Sequence, residues 1–287
     1  MKRFLILLLV SLISLYPTHS LADMAEGDMI VTLGENLTEE QKSNLLEEMG
    51  APADVQIVTV TNQEEHQYLG KYIAKSLIGT KAISSSAITI SSKGAGIKVK
   101  TKNINWVTDE MYVNALITAG VKDANIYITA PISVSGTAAL TGIIKAYEIS
   151  ADKTIPEDVK QAANEEMVET AKLGDSIGDK NAAALIAKVK EEIAKNKPKN
   201  DAELRSIIEQ AAKDLNVALS EAEMNKLMDF FNKLIDLNIN WNQVSDQLNK
   251  AKDQISKFLQ SDEGQGFLEK LKQFFIWLID AIKSLFS

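Results

Sequence analysis

The chain has 287 residues and no cysteine, and its 39 acidic side chains outnumber its 31 basic ones, for a formal net charge of −8 at pH 7. The absence of cysteine excludes disulfide bonds, thiolate metal ligands and a cysteine nucleophile. The acidic balance argues against generic nucleic-acid binding, because the phosphate backbone attracts basic surfaces. The length suits one large domain or two modest ones.

The first 22 residues have the pattern of a secretory signal peptide. Lys2 and Arg3 form a basic start, residues 4–15 are almost entirely apolar, and Ser20 and Ala22 place small side chains at the cleavage positions. We expect cleavage after Ala22 and a secreted, extracytoplasmic protein of the cell envelope. An uncleaved membrane anchor is the alternative, although the apolar run is shorter than the roughly 20 residues of a membrane span.

The composition changes near residue 150. Five β-rich segments precede that point, at residues 29–33, 55–61, 87–91, 96–101 and 125–129. After it, apolar residues recur with a helical period among alanine, lysine and glutamate. The sequence therefore predicts an α+β domain over residues 23–150, followed by an all-α helical-bundle domain over residues 151–287.

A strand-helix-strand-helix unit is predicted twice in the first domain. Thr38 and Thr108 each precede two carboxylates, as helix N-caps do, because acidic side chains favour the positive end of the helix dipole. Gly50 and Gly120 suit the left-handed position that follows a helix. We interpret the pattern as a duplication, which predicts a ligand cleft between the two units.

Residues 84–102 are predicted to form a β-hairpin inserted between the units, with its turn at Ser92–Gly96. Lys98, Lys100 and Lys102 alternate with apolar or β-branched residues, so they share one face of a strand. Such a lysine row is typical of a protected sheet edge. The alternative is a docking surface for an anionic envelope polymer.

The second domain carries helix signals in chain order. Pro156 suits the first turn of a helix, Pro198 lies in a polar break, and Ser220 with Glu223 forms a capping box. Three apolar stripes at helical spacing follow, at Met224–Leu234, Trp241–Phe258 and Leu268–Leu285. The stripes predict an antiparallel bundle or, alternatively, helices that pair with a second protomer.

Residues 266–287 are strongly apolar but interrupted by charges. The longest uncharged run, Gln273–Ile279, is far too short to span a membrane. We predict an amphipathic helix that either packs in the bundle or an oligomer seam, or lies on a membrane surface with its lysines at the headgroups.

Residues suited to catalysis are few. His66 has no further ligands at metal-binding spacing, so we interpret it as solvated or linked to a helix cap. Residues 174–178 match the G-x-S-x-G pattern of a nucleophile elbow. Such an elbow needs a strand before the serine and a histidine base, but the segment before Ser176 is predicted to be a helix and no histidine follows Ser176 in the sequence. We predict an interhelical turn there, with Gly174 ending one helix and Gly178 starting the next. No metal, cofactor or catalytic residue is assigned.

The strongest candidate ligand site is a polar loop between the last strand and the last helix of the first domain. Ser133, Ser135, Gly136 and Thr137 lie at a predicted helix N-terminus, where free amide groups and the helix dipole attract anions and carbonyl oxygens. The simpler interpretation is ordinary capping, with Ser135 as the N-cap. The loop lacks the Gly-Lys-Ser/Thr sequence of a P-loop.

Two segments carry a resemblance to a known family. Residues 129–147 (TAPISVSGTAALTGIIKAY) and 173–181 (LGDSIGDKN) resemble the YpuA-like family of uncharacterised, secreted proteins of low-GC Gram-positive bacteria. The resemblance covers most of the chain, from about Gly27 to the helical C-terminus, and its most specific part is Val-Ser-Gly-Thr-Ala-Ala-Leu. It implies an extracytoplasmic envelope protein and assigns no catalytic residue.

From these observations we expect a non-enzymatic binding or interaction module of the cell envelope. Its partners would be an anionic envelope polymer, the membrane surface, or a second copy of the chain bound through the C-terminal helices. Nucleic acid is not an expected partner. The alternatives are an envelope hydrolase that uses carboxylates and a self-associating structural scaffold.

Overall fold

The structure is a computed structural model that describes residues 25–260. The predicted signal peptide and the apolar segment at residues 266–287 lie outside this range. Within it, one sheet contains β1 (Met29–Gly34), β2 (Gln56–Val60), β3 (Ser85–Ile90), β4 (Ile97–Thr101) and β5 (Ala124–Thr129). The strand order is β2-β1-β3-β5-β4; β3 is antiparallel to β1 and β5, whereas β2 is parallel to β1 and β4 is parallel to β5.

Helices surround this sheet and confirm the predicted α+β class. They are α1 (Glu39–Glu48), α2 (Asn62–Leu69), α3 (Lys75–Ile78), α4 (Asp109–Thr118) and α5 (Thr137–Ser150). α1 connects β1 to β2 and α4 connects β4 to β5, so each parallel pair is a βαβ unit.

The rest of the described chain is helical, as predicted. It forms α6 (Glu157–Ile177), α7 (Asp179–Lys195), α8 (Asp201–Asp214), α9 (Glu221–Asp236) and α10 (Trp241–Gln260). Pro156 immediately precedes α6, and the polar break with Pro198 separates α7 from α8. Ser220 caps α9 through the predicted capping box, in which Ser220 N donates to Glu223 Oε2 at 2.7 Å.

The predicted apolar stripes are buried or partly buried where the structure describes them, with Trp241 and Ala251 partly exposed. Met224, Leu227, Phe231 and Leu234 of α9 are all buried, as are Val244 and Leu248 of α10. The stripe at Leu268–Leu285 lies outside the described residues. Among the helices of residues 25–260, none has the length and apolar character needed to cross a membrane.

The two predicted repeats share their helix-capping chemistry. Thr38 Oγ1 and Thr108 Oγ1 each accept a hydrogen bond from the backbone amide three residues later, at 3.2 and 3.4 Å. Gly50 and Gly120 follow the two helices with φ of +64° and +80°. The predicted caps are therefore confirmed in both units.

The two units are nevertheless placed differently in the sheet. β1 is internal and β2 is at the edge, but β4 is at the edge and β5 is internal. α1 packs on the face that carries Val31 and Ala87, and α4 packs on the opposite face, which carries Ile30 and Ile126. The likeness is thus local, and within the described chain the units lack the symmetric arrangement from which a cleft between them was predicted.

β3 and β4 do not form the predicted hairpin, because β5 lies between them. Asp123 O accepts a hydrogen bond from Ser91 N at 2.8 Å, and Asp123 Oδ1 accepts one from Gly96 N at 2.9 Å. The residue just before β5 therefore bonds to both ends of the β3–β4 connection. Each strand pairs with β5 instead of with the other.

α6 extends further than predicted. It continues through Gly174 and Ser176 to Ile177, and the chain turns at Gly178. A Cβ on Gly174 would lie 2.3 Å from Asp179 Oδ1, so this glycine permits close packing and does not end the helix. Ser176 lies in the last helical turn and donates a hydrogen bond to Glu223, which is not the geometry of a nucleophile elbow.

The hydrophobic core continues across residue 150. One cluster of buried side chains joins Ile128 of the sheet to Leu116 of α4, Met167 of α6 and Val244 of α10. A second cluster, which includes Phe231, lies among α7, α8 and α9. The division into two domains at residue 150 stays a prediction, but the two halves cover each other's apolar faces.

Candidate functional site

The predicted ligand loop follows β5 and is held by the segment that follows β4. Asn105 N donates to Val134 O at 2.9 Å, and Val107 N donates to Ser135 O at 3.3 Å. Val134 N donates in turn to Asn103 O at 3.0 Å. Because β4 and β5 are parallel neighbours, their carboxyl ends lie next to each other. The segments that follow the two strands therefore lie side by side.

Gly136 is the most constrained residue of this loop. It has a φ of +91°, and Tyr112 Oη donates a hydrogen bond to its carbonyl oxygen at 2.6 Å. A Cβ at this position would lie 2.3 Å from Tyr112 Oη and 2.6 Å from Ile104 Cγ2. The position therefore requires glycine, both for its backbone conformation and for the space around it.

Ser135 is not the N-cap of α5, so the simpler interpretation of this loop was wrong. Gly136 occupies the cap position and no side chain caps the helix, while Ser135 Oγ lies 3.2 Å from Thr137 Oγ1. Thr137 is 3% exposed and Gly136 is buried, whereas Ser133 is exposed and Ser135 is partly exposed. Of these four residues, Ser133 and Ser135 offer surface to a ligand, and their binding role stays a prediction.

The lysine row lies at the edge of the sheet. Lys98 and Lys100 of β4 and Lys102 just after it are exposed. Lys102 Nζ pairs with Glu48 Oε2 at 2.7 Å, and Tyr127 Oη donates to the other oxygen of Glu48 at 2.8 Å. Burial and the neighbouring Glu48 carboxylate raise the pKa of Tyr127 to about 12. Lys102 is thus tied to α1, and docking of a polymer on the row stays a prediction.

A cleft of about 750 Å³ opens where the segment after β4 meets the turn between α6 and α7. This junction cleft is lined on one side by Thr101 and residues 104–110 and on the other by residues 178–181. It lies beyond the carboxyl end of β4, the side on which open α/β sheets commonly bind ligands. Its volume falls in the range of small-molecule sites.

Carboxylates and one indole ring give the junction cleft its chemistry. Asp109, Glu110 and Asp179 contribute carboxylates, and Trp106 contributes a partly exposed ring. Asp109 Oδ1 is buried, and the Asp109 carboxyl interacts with the side chain and the backbone of Thr101. Burial, reinforced by the charge of Glu110, raises the pKa of Asp109. Lys180 also lines the cleft but is engaged in an interaction of its own.

Further along α4 and α7, a buried ion pair fixes the two sides of the cleft. Lys190 Nζ lies 2.8 Å from Glu166 Oε1 and also donates to Thr118 Oγ1 and Asn114 O, each at 2.8 Å. Asn114 Nδ2 donates to Ala183 O at 2.9 Å. Burial raises the pKa of Glu166 and lowers that of Lys190, while their mutual attraction opposes both shifts. The network joins α4, α6 and α7 through buried groups.

A smaller cleft of about 450 Å³ lies between α8 and α9. Arg205 in this cleft is paired with Glu209 at 2.9 Å and with Glu221 at 2.6 Å, so its charged groups already satisfy each other. The junction cleft is larger, and it lies beyond the carboxyl end of β4. We therefore take the junction cleft as the candidate site.

The remaining residues considered for chemistry lie elsewhere. His66 Nε2 is 3.0 Å from Gly79 O, which links α2 to the end of α3. In residues 25–260, no group of three or more histidine, aspartate and glutamate side chains is placed to hold a metal ion.

Sequence reasoning missed the junction cleft. Its two walls are far apart in the chain, and each carries only a local signal: the cap at Thr108 and the turn at Gly178. Neither signal shows that the first turns of α4 and α7 lie side by side. The contacts that bring them together, such as Lys190 to Asn114, are long-range and have no sequence pattern.

Comparison with known proteins identifies the family. Residues 33–251 match the family model described as protein of unknown function (DUF1002). The chain is similar to "Uncharacterized protein YpuA" of Bacillus subtilis (strain 168), with 57% identity over 277 residues that cover 96% of each chain. No solved structure matches the chain. The resemblance predicted from residues 129–147 and 173–181 is confirmed, and the chain belongs to the DUF1002 family of proteins of unknown function.

Proposed function

We propose that this chain is an exported, non-enzymatic binding protein of the cell envelope and that the junction cleft is its ligand site. The observation that carries the proposal is the cleft itself, a space of about 750 Å³ that lies beyond the carboxyl end of β4. Export is supported by the signal-peptide pattern of the first 22 residues.

The walls of the cleft have the properties of a preformed site. α4 and α7 are held together by the hydrogen bond from Asn114 to Ala183 and by the contacts of Lys190. The segment after β4 is fixed on the side away from the cleft by backbone hydrogen bonds to Val134 and Ser135. A ligand would therefore not have to order either wall, which reduces the entropic cost of binding.

The four residues predicted as ligand contacts fit this proposal in a supporting role. Gly136 lets Tyr112 and Ile104 approach, and Ile104 lines the cleft. The loop of Ser133 to Thr137 thus shapes the wall behind the cleft, and the exposed surface of Ser133 and Ser135 would extend the site along the sheet edge.

Blocking the cleft tests the proposal. Asn105 is exposed and lines the cleft, so Asn105→Trp should fill it without disturbing the core. Lys153→Trp is the matched control, because Lys153 is exposed and does not line the cleft. Binding of soluble envelope fragments, measured by isothermal titration calorimetry, should be lost in Asn105→Trp and kept in Lys153→Trp. Equal binding by both variants would contradict the assignment of the site.

A second candidate function is docking of an anionic envelope polymer on the lysine row. The observation that favours it is the exposure of Lys98 and Lys100 on an edge strand. Sedimentation with purified cell wall should then weaken with salt and be lost in Lys98→Glu/Lys100→Glu. The charge-matched control is Lys81→Glu/Lys153→Glu; equal loss in both pairs would indicate an effect of net charge and would contradict a specific docking surface.

A further inference from the structure

We propose that the junction cleft binds a peptide in extended conformation, which adds as a further strand along the outer edge of residues 103–107. The inference rests on the proposed function and names the chemical class of the ligand. The observation that carries it concerns two residues that line the cleft, Ile104 and Trp106. Their backbone N–H and C=O groups have no hydrogen-bond partner within residues 25–260.

Residues 103–107 continue the edge of the sheet beyond β4. Ile104 and Val134 form a parallel bridge, in which Asn103 O accepts a hydrogen bond from Val134 N and Asn105 N donates one to Val134 O. In a parallel bridge of this kind, the residue between the two bonded neighbours directs its own N–H and C=O groups to the opposite edge. The backbone groups of Ile104 therefore point away from the loop that contains Val134.

Trp106 repeats this arrangement two residues later. The N–H groups of its neighbours Asn105 and Val107 both donate to the loop, at 2.9 and 3.3 Å. Trp106 lies between them and makes no backbone hydrogen bond to that loop. Because the loop lies on the side away from the cleft, Ile104 and Trp106 present two donors and two acceptors to the cleft, at the two-residue interval of a strand.

The preceding part of the same edge is protected against such pairing. At the end of β4, the backbone of Thr101 is hydrogen-bonded to the Asp109 carboxyl. β4 itself carries the lysine row, and lysines are a common protection of edge strands. Residues 103–107 (Asn-Ile-Asn-Trp-Val) carry no charge, and their free backbone groups lie in a cleft. An unpaired edge beside a cleft is the arrangement to which extended peptides add as a strand.

The side chains of Ile104 and Trp106 indicate which peptides would fit. Both are partly exposed, and both pack against the same buried cluster, so they lie on one face of the segment. Cross-strand pairs of aromatic and β-branched side chains stabilise neighbouring strands. We therefore expect a ligand with β-branched or aromatic residues at alternate positions, whose main chain supplies most of the affinity.

The test uses the mature chain from Asp23 and the peptide acetyl-Ser-Val-Thr-Val-Ser-amide as the probe. Amide hydrogen exchange, followed by NMR, is measured at residues 104–107 with and without saturating peptide. In the free protein, Asn105 and Val107 should exchange more slowly than Ile104 and Trp106, because only the former two amides are hydrogen-bonded. The peptide should slow exchange at Ile104 and Trp106 by about ten-fold or more and leave Asn105 and Val107, the internal controls, nearly unchanged.

Two modified peptides test whether the main chain makes the contacts. One carries methyl groups on the backbone nitrogens of its three central residues, and the other carries the same number of methyl groups on its three side-chain hydroxyls. The first loses the donors that would pair with the protein, whereas the second keeps them. We expect the N-methylated peptide to bind about ten-fold more weakly, or less, in calorimetric titrations and the O-methylated peptide to bind as the parent does.

Three results would overturn the inference. Equal affinity of the N-methylated and O-methylated peptides would show that the main chain does not pair with the protein. Chemical-shift changes at the cleft amides caused by a soluble oligosaccharide of N-acetylglucosamine, and not by the peptide, would refute the peptide class and leave the proposed site intact. If neither probe nor any soluble envelope fragment shifts the cleft amides, both the inference and the proposed function are wrong.

Discussion

Replacing Glu65 by glutamine should stabilise the protein at neutral and mildly alkaline pH. Glu65 is 2% exposed in α2, and Asn62 Nδ2 donates to its carboxylate at 2.9 Å. Burial, reinforced by the negative charge of Glu35, raises the pKa of Glu65 from 4.5 to about 8 despite that hydrogen bond. The folded protein therefore holds a proton that the unfolded chain releases.

The sign and size of the effect follow from this difference. Between pH 4.5 and about 8 the folded state binds more protons than the unfolded state, so the free energy of unfolding falls as the pH rises through that window. The stabilising contribution is complete below the window and lost above it. One pKa unit corresponds to about 1.4 kcal/mol, so the loss amounts to about 3 kcal/mol at pH 7 and about 5 kcal/mol above pH 8. Glutamine keeps the shape without the charge, and Glu65→Gln should recover most of this energy.

The assay is urea denaturation followed by circular dichroism from about pH 5 to pH 9, with the wild type and Glu65→Gln side by side. The two stability curves should converge at the acidic end and separate with rising pH. Glu64→Gln is the control on the same helix. Partial burial acts to raise the pKa of Glu64, but the hydrogen bonds from Lys145 and Thr61 outweigh it and lower that pKa. Losing the ion pair with Lys145 should cost about 0.5–1 kcal/mol. Parallel curves for wild type and Glu65→Gln at all pH values would refute the reasoning.

Three further substitutions test the packing. Lys190→Met should lower the free energy of unfolding by about 3–5 kcal/mol, because the Glu166 carboxylate would stay buried without its cation, and adding Glu166→Leu should restore most of the loss in urea denaturation. Gly136→Ala should lower the free energy of unfolding by about 2–4 kcal/mol, because the added Cβ would clash with the hydroxyl of Tyr112. Gly94→Ala is the control and should cost about 1 kcal/mol, since Gly94 has a similar φ but open space around it. Equal melting temperatures for the two variants would contradict the described packing of the loop. Ser220→Ala should cost about 1 kcal/mol in the same melts by removing the N-cap of α9, and an unchanged melting temperature would argue against the capping box.

Features that depend on neighbouring residues could be predicted from the sequence. The caps at Thr38, Thr108 and Ser220 involve atoms three residues apart, and all three are present. The glycines at positions 50 and 120 follow their helices with positive φ, as predicted from their place after each helix. The helical period after residue 150 likewise identified the buried faces of α9 and α10.

Features that depend on distant partners could not be predicted. The turn between β3 and β4 has the composition of a hairpin, yet Asp123 bonds to both of its ends and β5 separates the two strands. Gly136 replaces Ser135 as the cap of α5 because Tyr112, far away in the sequence, binds the Gly136 carbonyl. In both places a long-range hydrogen bond selects one of several locally acceptable conformations.

The same limit explains the candidate site. Asp109 and Glu110 have the sequence appearance of ordinary first-turn carboxylates, equivalent to those of α1. Their position in a cleft depends on Asp179 and Asn181, which α7 brings to them through the buried contacts of Lys190. A function that depends on this cleft is therefore apparent from the three-dimensional structure and not from the motifs.

Amide hydrogen exchange of the mature chain, with and without a soluble digest of Bacillus subtilis cell envelope, tests the central claim most directly. If the junction cleft is the ligand site, exchange should slow at residues 104–110 and 178–181, and Asn105→Trp should abolish the change. Slowed exchange confined to the lysine row at residues 98–102, or no change anywhere in the chain, would contradict the claim.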